Sequence, residues 1–212
     1  DKAEVPLIIG AVLRTDGQLQ NASILWEPKI GATTRYLKRH LTPFGEVVPL
    51  RSALTFFSDL PSQVEDFSPG KSAVIHQVGQ AKIAPIICFE LIDDRLIQSS
   101  ASQSNLFVVQ TNSATFANTA ESAQQLAITR IRSIEHARYS VSVSTVGISA
   151  IVDTNGIVLK STKENIATSI NSAVALNATR TIYDRMGEFA WILVLLIGLG
   201  FGAGLGYAAR VG

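Results

Sequence analysis

The chain has 212 residues, of which 47% are hydrophobic, and its 18 basic residues nearly balance its 17 acidic residues. This length and apolar content suffice for one sizeable α/β domain with a buried core. The sequence has no block of like charge and no basic stripe interleaved with aromatic residues, which argues against nucleic acid as a partner. Its single cysteine excludes an intrachain disulfide.

Short apolar or alternating runs, separated by Gly, Pro, Asn and Asp, predict strands along most of the chain. The predicted strands are Pro6–Leu13, Ser23–Trp26, Ala73–Val78, Ile83–Cys88, Leu106–Gln110, Val141–Val146, Ser149–Val152, Ile157–Lys160 and Ala167–Leu176. The turn Asp153-Thr154-Asn155-Gly156 predicts a hairpin. Helices are predicted over Asp93–Ser100 and Thr119–Tyr139, the second from an apolar stripe beside charged positions.

Cys88 is the first candidate for chemistry. It ends an apolar run, and the acid Glu90 follows two residues later. A thiol at the end of a buried strand and beside charge is a candidate nucleophile, whereas a lone cysteine often serves as a small buried hydrophobe. These residues alone leave both interpretations open.

A second candidate cluster lies upstream, in the segment YLKRHLTPFGE from Tyr36 to Glu46. Lys38 precedes a Pro-Phe-Gly turn that ends in Glu46, so opposite charges flank a rigid bend. Taken alone, such a lysine is more often a solvated surface charge than an active-site group.

The end of the chain is strongly apolar. Residues 189–209 carry no charge, and Gly198, Gly202 and Gly206 recur at every fourth position. Length and polarity predict a transmembrane helix, and the small residues predict contacts with neighbouring helices. We therefore expect the C-terminal part of a larger membrane protein, with a domain at 1–180, a linker at 181–188 and the span at 189–209.

Taken together, these motifs resemble the nitrilase, or carbon-nitrogen hydrolase, superfamily, and more narrowly its apolipoprotein N-acyltransferase family. The features that carry the resemblance are Lys38 to Glu46, Cys88 with Glu90, Arg132-x-x-Glu135-x-x-Arg138, Gly147-Ile148-Ser149 and the terminal apolar segment. The resemblance implies an α/β fold, a nitrilase-like αββα sandwich that is incomplete at its N-terminus and is followed by one transmembrane helix.

The resemblance also implies a role for each candidate residue. Cys88 corresponds to the nucleophile, Lys38 to the lysine of a Glu-Lys-Cys triad, and Glu46 and Glu90 to additional acids around the site. A neighbouring ammonium favours the attacking thiolate and can stabilise the oxyanion that forms when the thiolate adds to an ester carbonyl.

The implied reaction is a ping-pong acyl transfer. Cys88 takes an acyl chain from a membrane phospholipid as a thioester, and the N-terminal amine of a diacylglyceryl-cysteine lipoprotein then attacks it. The family requires no cofactor, and the three histidines show no metal-ligand spacing with one another or with the cysteine.

The implied location is the bacterial cytoplasmic (inner) membrane, with the catalytic domain on the extracytoplasmic side. The bilayer and upstream transmembrane helices of the same protein are the expected neighbours. Arg180 and Arg185 before the span and Arg210 after it weakly favour the opposite orientation.

The sequence departs from the family pattern at three places, one of which is Thr145-Val146 before Gly147, where an asparagine is common. The triad glutamate has no candidate, because Glu4 lies too close to the first strand, and we expect this base outside the chain. The segment Asn112–Ala117 reads NSATFA where the family usually shows Asn-Asp-Ala-Trp-Phe-Gly. Phe116 and Phe44 are candidate substrate-binding residues, although an aromatic beside a sheet is at least as often core.

Two alternatives stay open. A membrane-tethered amidase or nitrilase would share Lys38 and Cys88 but hydrolyse a C–N bond with water as the acceptor. The Pro-Phe-Gly-Glu string and the terminal apolar segment favour the acyltransferase over this alternative. The other alternative is a non-catalytic, membrane-anchored scaffold that lacks the triad glutamate.

Overall fold

The computed structural model describes residues 4–49, 65–117, 119–187, 189 and 192–201. In this part of the chain, the strands form a three-stranded sheet and a six-stranded sheet. The first contains β1 (Leu7–Thr15), β2 (Gln18–Glu27) and β3 (Gly31–Leu37). The second contains, in spatial order, β4 (His76–Val78), β5 (Ala81–Ile87), β6 (Leu106–Thr111), β7 (Ser140–Ser144), β8 (Ala150–Val152) and β9 (Val158–Ser161).

The three-stranded sheet is an antiparallel meander. Asp16 and Gly17 form the two-residue turn between β1 and β2, with positive φ values of 51° and 79°. This conformation matches the twist of a tight hairpin, and glycine adopts it without steric cost. β3 is missing from the strands that the sequence predicts, because its run of GATTRYL has no clear apolar alternation.

The centre of the six-stranded sheet is parallel and buried on both faces. β5 pairs in parallel with β6, and β6 with β7, whereas the outer strands pair antiparallel. Ala84 and Ile86 of β5 belong to one hydrophobic cluster, and Ile83 belongs to another on the opposite face. Burial on both faces explains why these strands read as continuous apolar runs.

Helices cover one face of this sheet, and the three-stranded sheet covers the other. The helices α1 (Asp94–Ala101) and α2 (Glu121–His136) contribute to the first cluster. Ile8 of β1 packs against the second cluster, and Gln110 Nε2 donates to its carbonyl at 3.3 Å. Leu7 and Ile9, on the outer face of β1, are 39% and 38% exposed. The described residues thus form three layers of the predicted αββα sandwich.

The motif Arg132-x-x-Glu135-x-x-Arg138 joins the helices to their surroundings. Arg132 forms ion pairs with Asp94 at 2.6 Å and Glu135 at 2.7 Å. Arg138 is 1% exposed and donates to four backbone carbonyls, those of Ser104, His136, Thr179 and Ala101. Because carbonyls satisfy its guanidinium, this buried cation serves the fold.

Most predicted elements are confirmed, although their ends shift: the predicted Ser23–Trp26 covers less than half of β2, and the predicted Ala73–Val78 is longer than β4. The hairpin at Asp153–Gly156 is confirmed, with Gly156 at a φ of 73° between β8 and β9. The predicted strand Ala167–Leu176 is wrong, because this segment has no ladder partner and is largely exposed. Asn177, immediately after it, donates its side-chain amide to the Ala137 carbonyl at 2.8 Å.

The terminal segment is described only in part. The predicted linker contains α3 (Ile182–Met186), whose Asp184 is 2% exposed and accepts from His136 Nδ1 at 2.5 Å. Residues 192–201 are helical, and positions 190, 191 and 202–209 of the predicted span lie outside the described residues. No helix in the described ranges is long and apolar enough to cross a membrane. The membrane span stays a prediction.

Candidate active site

Lys38 follows β3 and is enclosed by the turn after it. Its side chain is 0% exposed, and its Nζ donates to Glu46 Oε2 at 2.6 Å and to Thr42 Oγ1 at 3.0 Å. The Thr42 N–H donates to the same carboxylate oxygen at 2.7 Å, and Asn21 Nδ2 donates to the other. Glu46 therefore fixes both the lysine ammonium and the backbone of the turn.

Cys88 directly follows β5 and begins a short 3₁₀ helix, Cys88–Ile92. Its φ of 51° is in the left-handed region, which is strained for a residue other than glycine and is enriched at functional sites. Burial raises the pKa of the Cys88 thiol above its ordinary value, and the Lys38 ammonium, which acts in the opposite direction, offsets only part of this rise. The charge of Lys38 therefore favours a thiolate at this turn, against the effect of burial.

Glu90 joins the cysteine turn to the lysine turn. The residue is 0% exposed, and its Oε2 accepts from the Ile87 N–H at 2.8 Å. Its Oε1 accepts from Tyr36 Oη at 2.7 Å, the Arg39 N–H at 2.7 Å and the His40 N–H at 3.3 Å. One buried carboxylate thus holds the residue before Cys88 and the two residues after Lys38.

Gln125 of α2 reaches the cysteine from the helix layer. Its Nε2 donates to Cys88 Sγ at 3.4 Å and to Glu121 Oε1 at 2.5 Å. Its Oε1 accepts from Thr111 Oγ1, at the end of β6, at 2.7 Å. The side-chain amide therefore contacts the candidate nucleophile through its donor end.

A cleft of about 340 Å³ lies between the two sheets, at the end where Cys88 leaves β5. Residues of both sheets line it, including Gly10, Asn21, Ile87, Gln110, Thr111 and Ser144. Ile87 is the residue before Cys88, and Asn21 donates to Glu46, so the cleft is joined to the site through these two neighbours and is not lined by Cys88 or Lys38 themselves. This volume suits part of a small molecule or of an acyl chain.

The two aromatic residues predicted to bind substrate, Phe44 and Phe116, lie outside the cleft. Phe44 is 65% exposed at the tip of the lysine turn, and Phe116 is 44% exposed in a 3₁₀ turn, Ala114–Phe116. Neither residue lines the cleft between the sheets. Their role in substrate binding stays a prediction.

A cluster of hydroxyl groups occupies the loop region beside the cleft. Ser113 Oγ lies 2.8 Å from Ser144 Oγ. The Gly147 N–H donates to Ser144 Oγ at 3.1 Å, and the Ile148 N–H donates to Ser122 Oγ at 2.7 Å. A Cβ at Gly147 would collide with the hydroxyls of Ser122 and Ser144, which explains the glycine.

The structure brings together four residues that the sequence singles out: Lys38, Glu46, Cys88 and Glu90. Sequence reasoning misses Gln125 and Thr111, because an amide in a helix and a hydroxyl at a strand end carry no motif of their own. Glu4, the acid just before the first strand, is exposed. The described ranges hold no group of three or more His, Cys, Asp or Glu residues that could bind a metal ion.

An α/β sandwich with a cysteine at a strained strand end, beside a lysine and glutamates, defines a nitrilase-type protein. A model of the family described as carbon-nitrogen hydrolase matches residues 1–183, and the chain belongs to this family. It is 31% identical over 204 residues to an apolipoprotein N-acyltransferase of Mycolicibacterium smegmatis, covering 92% of this chain and 34% of that protein. A Geobacter metallireducens protein of the same name is 32% identical over 176 residues, covering 82% and 34%.

Solved structures show the same fold at low sequence identity. Nit3 of Saccharomyces cerevisiae, a member of the nitrilase superfamily, matches with a TM-score of 0.58 and 17% identity, covering 77% of this chain and 58% of that chain. A mutant amidase from Nesterenkonia sp., with an acetamide moiety covalently added at its active-site cysteine, matches at 0.58 and 14% identity, covering 76% and 57%. Compared with the two apolipoprotein N-acyltransferases, the chain spans only about a third of their length.

Proposed function

We propose that this chain carries the nucleophile and the lysine of an N-acyltransferase that acts through a cysteine thioester. The observation that carries the proposal is the junction made by Glu90, which ties the Cys88 turn to the Lys38 turn. The names of the relatives, apolipoprotein N-acyltransferase, supply the reaction and the class of the acceptor, and the phospholipid donor is part of the proposal. Lys38, Glu46, Cys88 and Glu90 are the proposed site residues.

In the first half-reaction, the Cys88 thiolate adds to the ester carbonyl of a phospholipid. The Lys38 ammonium stabilises the oxyanion, the bond from the carbonyl carbon to the alcohol oxygen breaks, and the departing lysophospholipid takes the proton that the thiol released. Cys88 then holds the acyl group as a thioester. Glu46 and Glu90 position Lys38 and the two turns.

In the second half-reaction, the N-terminal amine of a diacylglyceryl-cysteine lipoprotein attacks the thioester carbonyl. The amine loses a proton, the carbon-sulfur bond breaks, and an amide and a free thiol result. A thioester suits this step because an amine attacks it readily, whereas aminolysis of an ester is slow. We assign no residue of this chain as the base that takes the proton from the amine, the role of the glutamate in the family triad.

We further propose that the segment 189–209 places the site at the inner membrane, with the domain on the extracytoplasmic side. The support is the uncharged length of this segment and the names of the relatives. Labelling of an engineered surface cysteine in intact cells, in a Cys88→Ala background, tests the orientation. Protection from a membrane-impermeant reagent until lysis would contradict the proposed side.

Amidase activity is the second candidate, because the family model and the similar amidase structure both describe carbon-nitrogen chemistry. The two functions differ in the acceptor that resolves the acyl-enzyme. An acyltransferase retains its thioester in water until an amine is supplied, whereas a hydrolase loses it to water.

Intact-protein mass spectrometry of the full-length protein after incubation with phospholipid vesicles tests the proposal. We expect one added acyl mass that persists in buffer, disappears on addition of a diacylglyceryl-cysteine peptide and is absent in Cys88→Ala. Glu65→Gln, which changes only an exposed ion pair with Arg14, is the matched control and retains the acyl mass. Acyl transfer to the peptide by an enzyme with Cys88→Ala would refute the thioester route.

A further inference from the structure

The side chain of Gln125 is held in one orientation at the sulfur of Cys88. Three contacts fix it: Thr111 Oγ1 donates to its Oε1 at 2.7 Å, and its Nε2 donates to Glu121 Oε1 at 2.5 Å and to Cys88 Sγ at 3.4 Å. Rotating the amide by 180° would bring its oxygen against the Glu121 carboxylate, an acceptor against an acceptor. The amide group therefore keeps its N–H groups toward the sulfur.

The surroundings of Glu121 favour this arrangement further. Its Oε2 is buried without a hydrogen-bond partner. Its other oxygen, Oε1, accepts from Gln125 Nε2. Burial raises the pKa of Glu121, while the hydrogen bond from Gln125 lowers it. If the Gln125 amide were removed, Glu121 Oε1 would lose its hydrogen bond from this side chain, and Oε2 would still have none.

We infer that Gln125 is a further catalytic residue, whose amide N–H stabilises the Cys88 thiolate, and that Thr111 and Glu121 are the positioning residues that aim it. The inference rests on the proposed role of Cys88 as the nucleophile. A hydrogen bond to sulfur is stronger when the sulfur is charged, so it favours the thiolate over the thiol.

Charged groups act on the same sulfur from two other directions. Lys38, from the lysine turn, favours the thiolate, and Glu121, from α2, opposes it. The Phe89 N–H, within the cysteine turn itself, also favours the thiolate. The Gln125 amide lies between the opposing carboxyl group and the sulfur, and it donates to both.

The test is the pH dependence of Cys88 alkylation by iodoacetamide, measured on the full-length protein without substrate. Cys88 is the single cysteine of this chain, and any other cysteine of the full-length protein is replaced beforehand. Gln125→Met keeps the length of the side chain and removes both N–H donors. We expect the alkylation midpoint to rise by about one to two pH units, as for the loss of one hydrogen bond to a charged group.

Controls separate this effect from a general loss of structure. Gln124→Met changes the exposed neighbour on α2 and leaves the midpoint unchanged. Thr111→Val removes the hydroxyl that aims the amide and raises the midpoint by a smaller amount. An unchanged midpoint in Gln125→Met overturns the inference, and if that variant does not fold, an unchanged midpoint in Thr111→Val overturns it.

This measurement is independent of the test of acyl transfer. If no acyl-enzyme forms but Gln125→Met shifts the alkylation midpoint, the role of Gln125 at the sulfur is supported and the proposed function is refuted. If the acyl-enzyme forms but Gln125→Met leaves the alkylation midpoint unchanged, the proposed function is supported and the role of Gln125 is refuted.

Discussion

Glu90→Gln is the sharpest test of the way the two turns are held together. The carboxylate is 0% exposed and accepts four hydrogen bonds, three at Oε1 and one at Oε2. An amide of the same shape retains at most one oxygen. In its better orientation the oxygen keeps the three donors from Tyr36, Arg39 and His40, and the new NH₂ group faces the Ile87 N–H.

The expected cost follows from these contacts. A buried N–H without an acceptor costs about 1–3 kcal/mol, and each of the three remaining bonds loses about 1 kcal/mol when its acceptor becomes neutral. Part of this cost is offset, because burying a neutral amide is less unfavourable than burying a charge. We expect the free energy of unfolding to fall by about 2–4 kcal/mol.

Urea unfolding, followed by circular dichroism, measures this change. The matched control is Glu65→Gln, which removes the same charge from an exposed ion pair with Arg14 and leaves the unfolding midpoint nearly unchanged. Equal midpoints for the two variants would refute the reasoning, because Glu90 would then contribute no more than a surface carboxylate.

Three other predictions concern the site and its support. Lys38→Met raises the pH at the midpoint of Cys88 alkylation, because the ammonium that lowers the pKa of the thiol is lost. An unchanged midpoint would show that Lys38 does not stabilise the Cys88 thiolate. Burial lowers the pKa of His76 below its ordinary 6.5, so its contribution to stability is present above that value and lost as pH falls through the folded-state pKa. The urea concentration at the unfolding midpoint should therefore fall as the pH is lowered below the ordinary value of 6.5, less steeply in His76→Gln, and equal slopes in the two proteins would contradict this. Gly147→Ala lowers the free energy of unfolding by about 1–3 kcal/mol, because its Cβ meets the Ser122 hydroxyl. In a Ser122→Ala background, where the contact with the Ile148 N–H is already lost, Gly147→Ala should lower the free energy of unfolding by less than it does with Ser122 present, and an equal cost in the two backgrounds would show that this collision does not set it.

The sequence predicted most strands and helices because their periodicity is local. The apolar runs of β5 and β6 and the amphipathic pattern of α2 reflect faces that each element buries. The pattern failed at Ala167–Leu176, where apolar spacing exists but no neighbouring strand supplies hydrogen bonds. It also missed β3, whose place in the sheet is given by pairing with β2 rather than by its own composition.

The candidate site divides in the same way. Its ionisable and nucleophilic residues, Lys38, Glu46, Cys88 and Glu90, were visible in the sequence because they belong to short motifs with a family resemblance. Their division of labour was not visible: Glu46 contacts the lysine directly, whereas Glu90 contacts backbone groups of both turns. Only the folded chain distinguishes these two acids.

The sequence by itself determined the family, the α/β character of the domain and the residues that could carry the chemistry, because these depend on local pattern and residue type. The tertiary structure decided what surrounds the thiol. Gln125 lies 37 positions after Cys88 and reaches it because α2 packs beside the cysteine turn. Contacts between residues so far apart in the chain depend on how sheets and helices pack, and no local pattern records them.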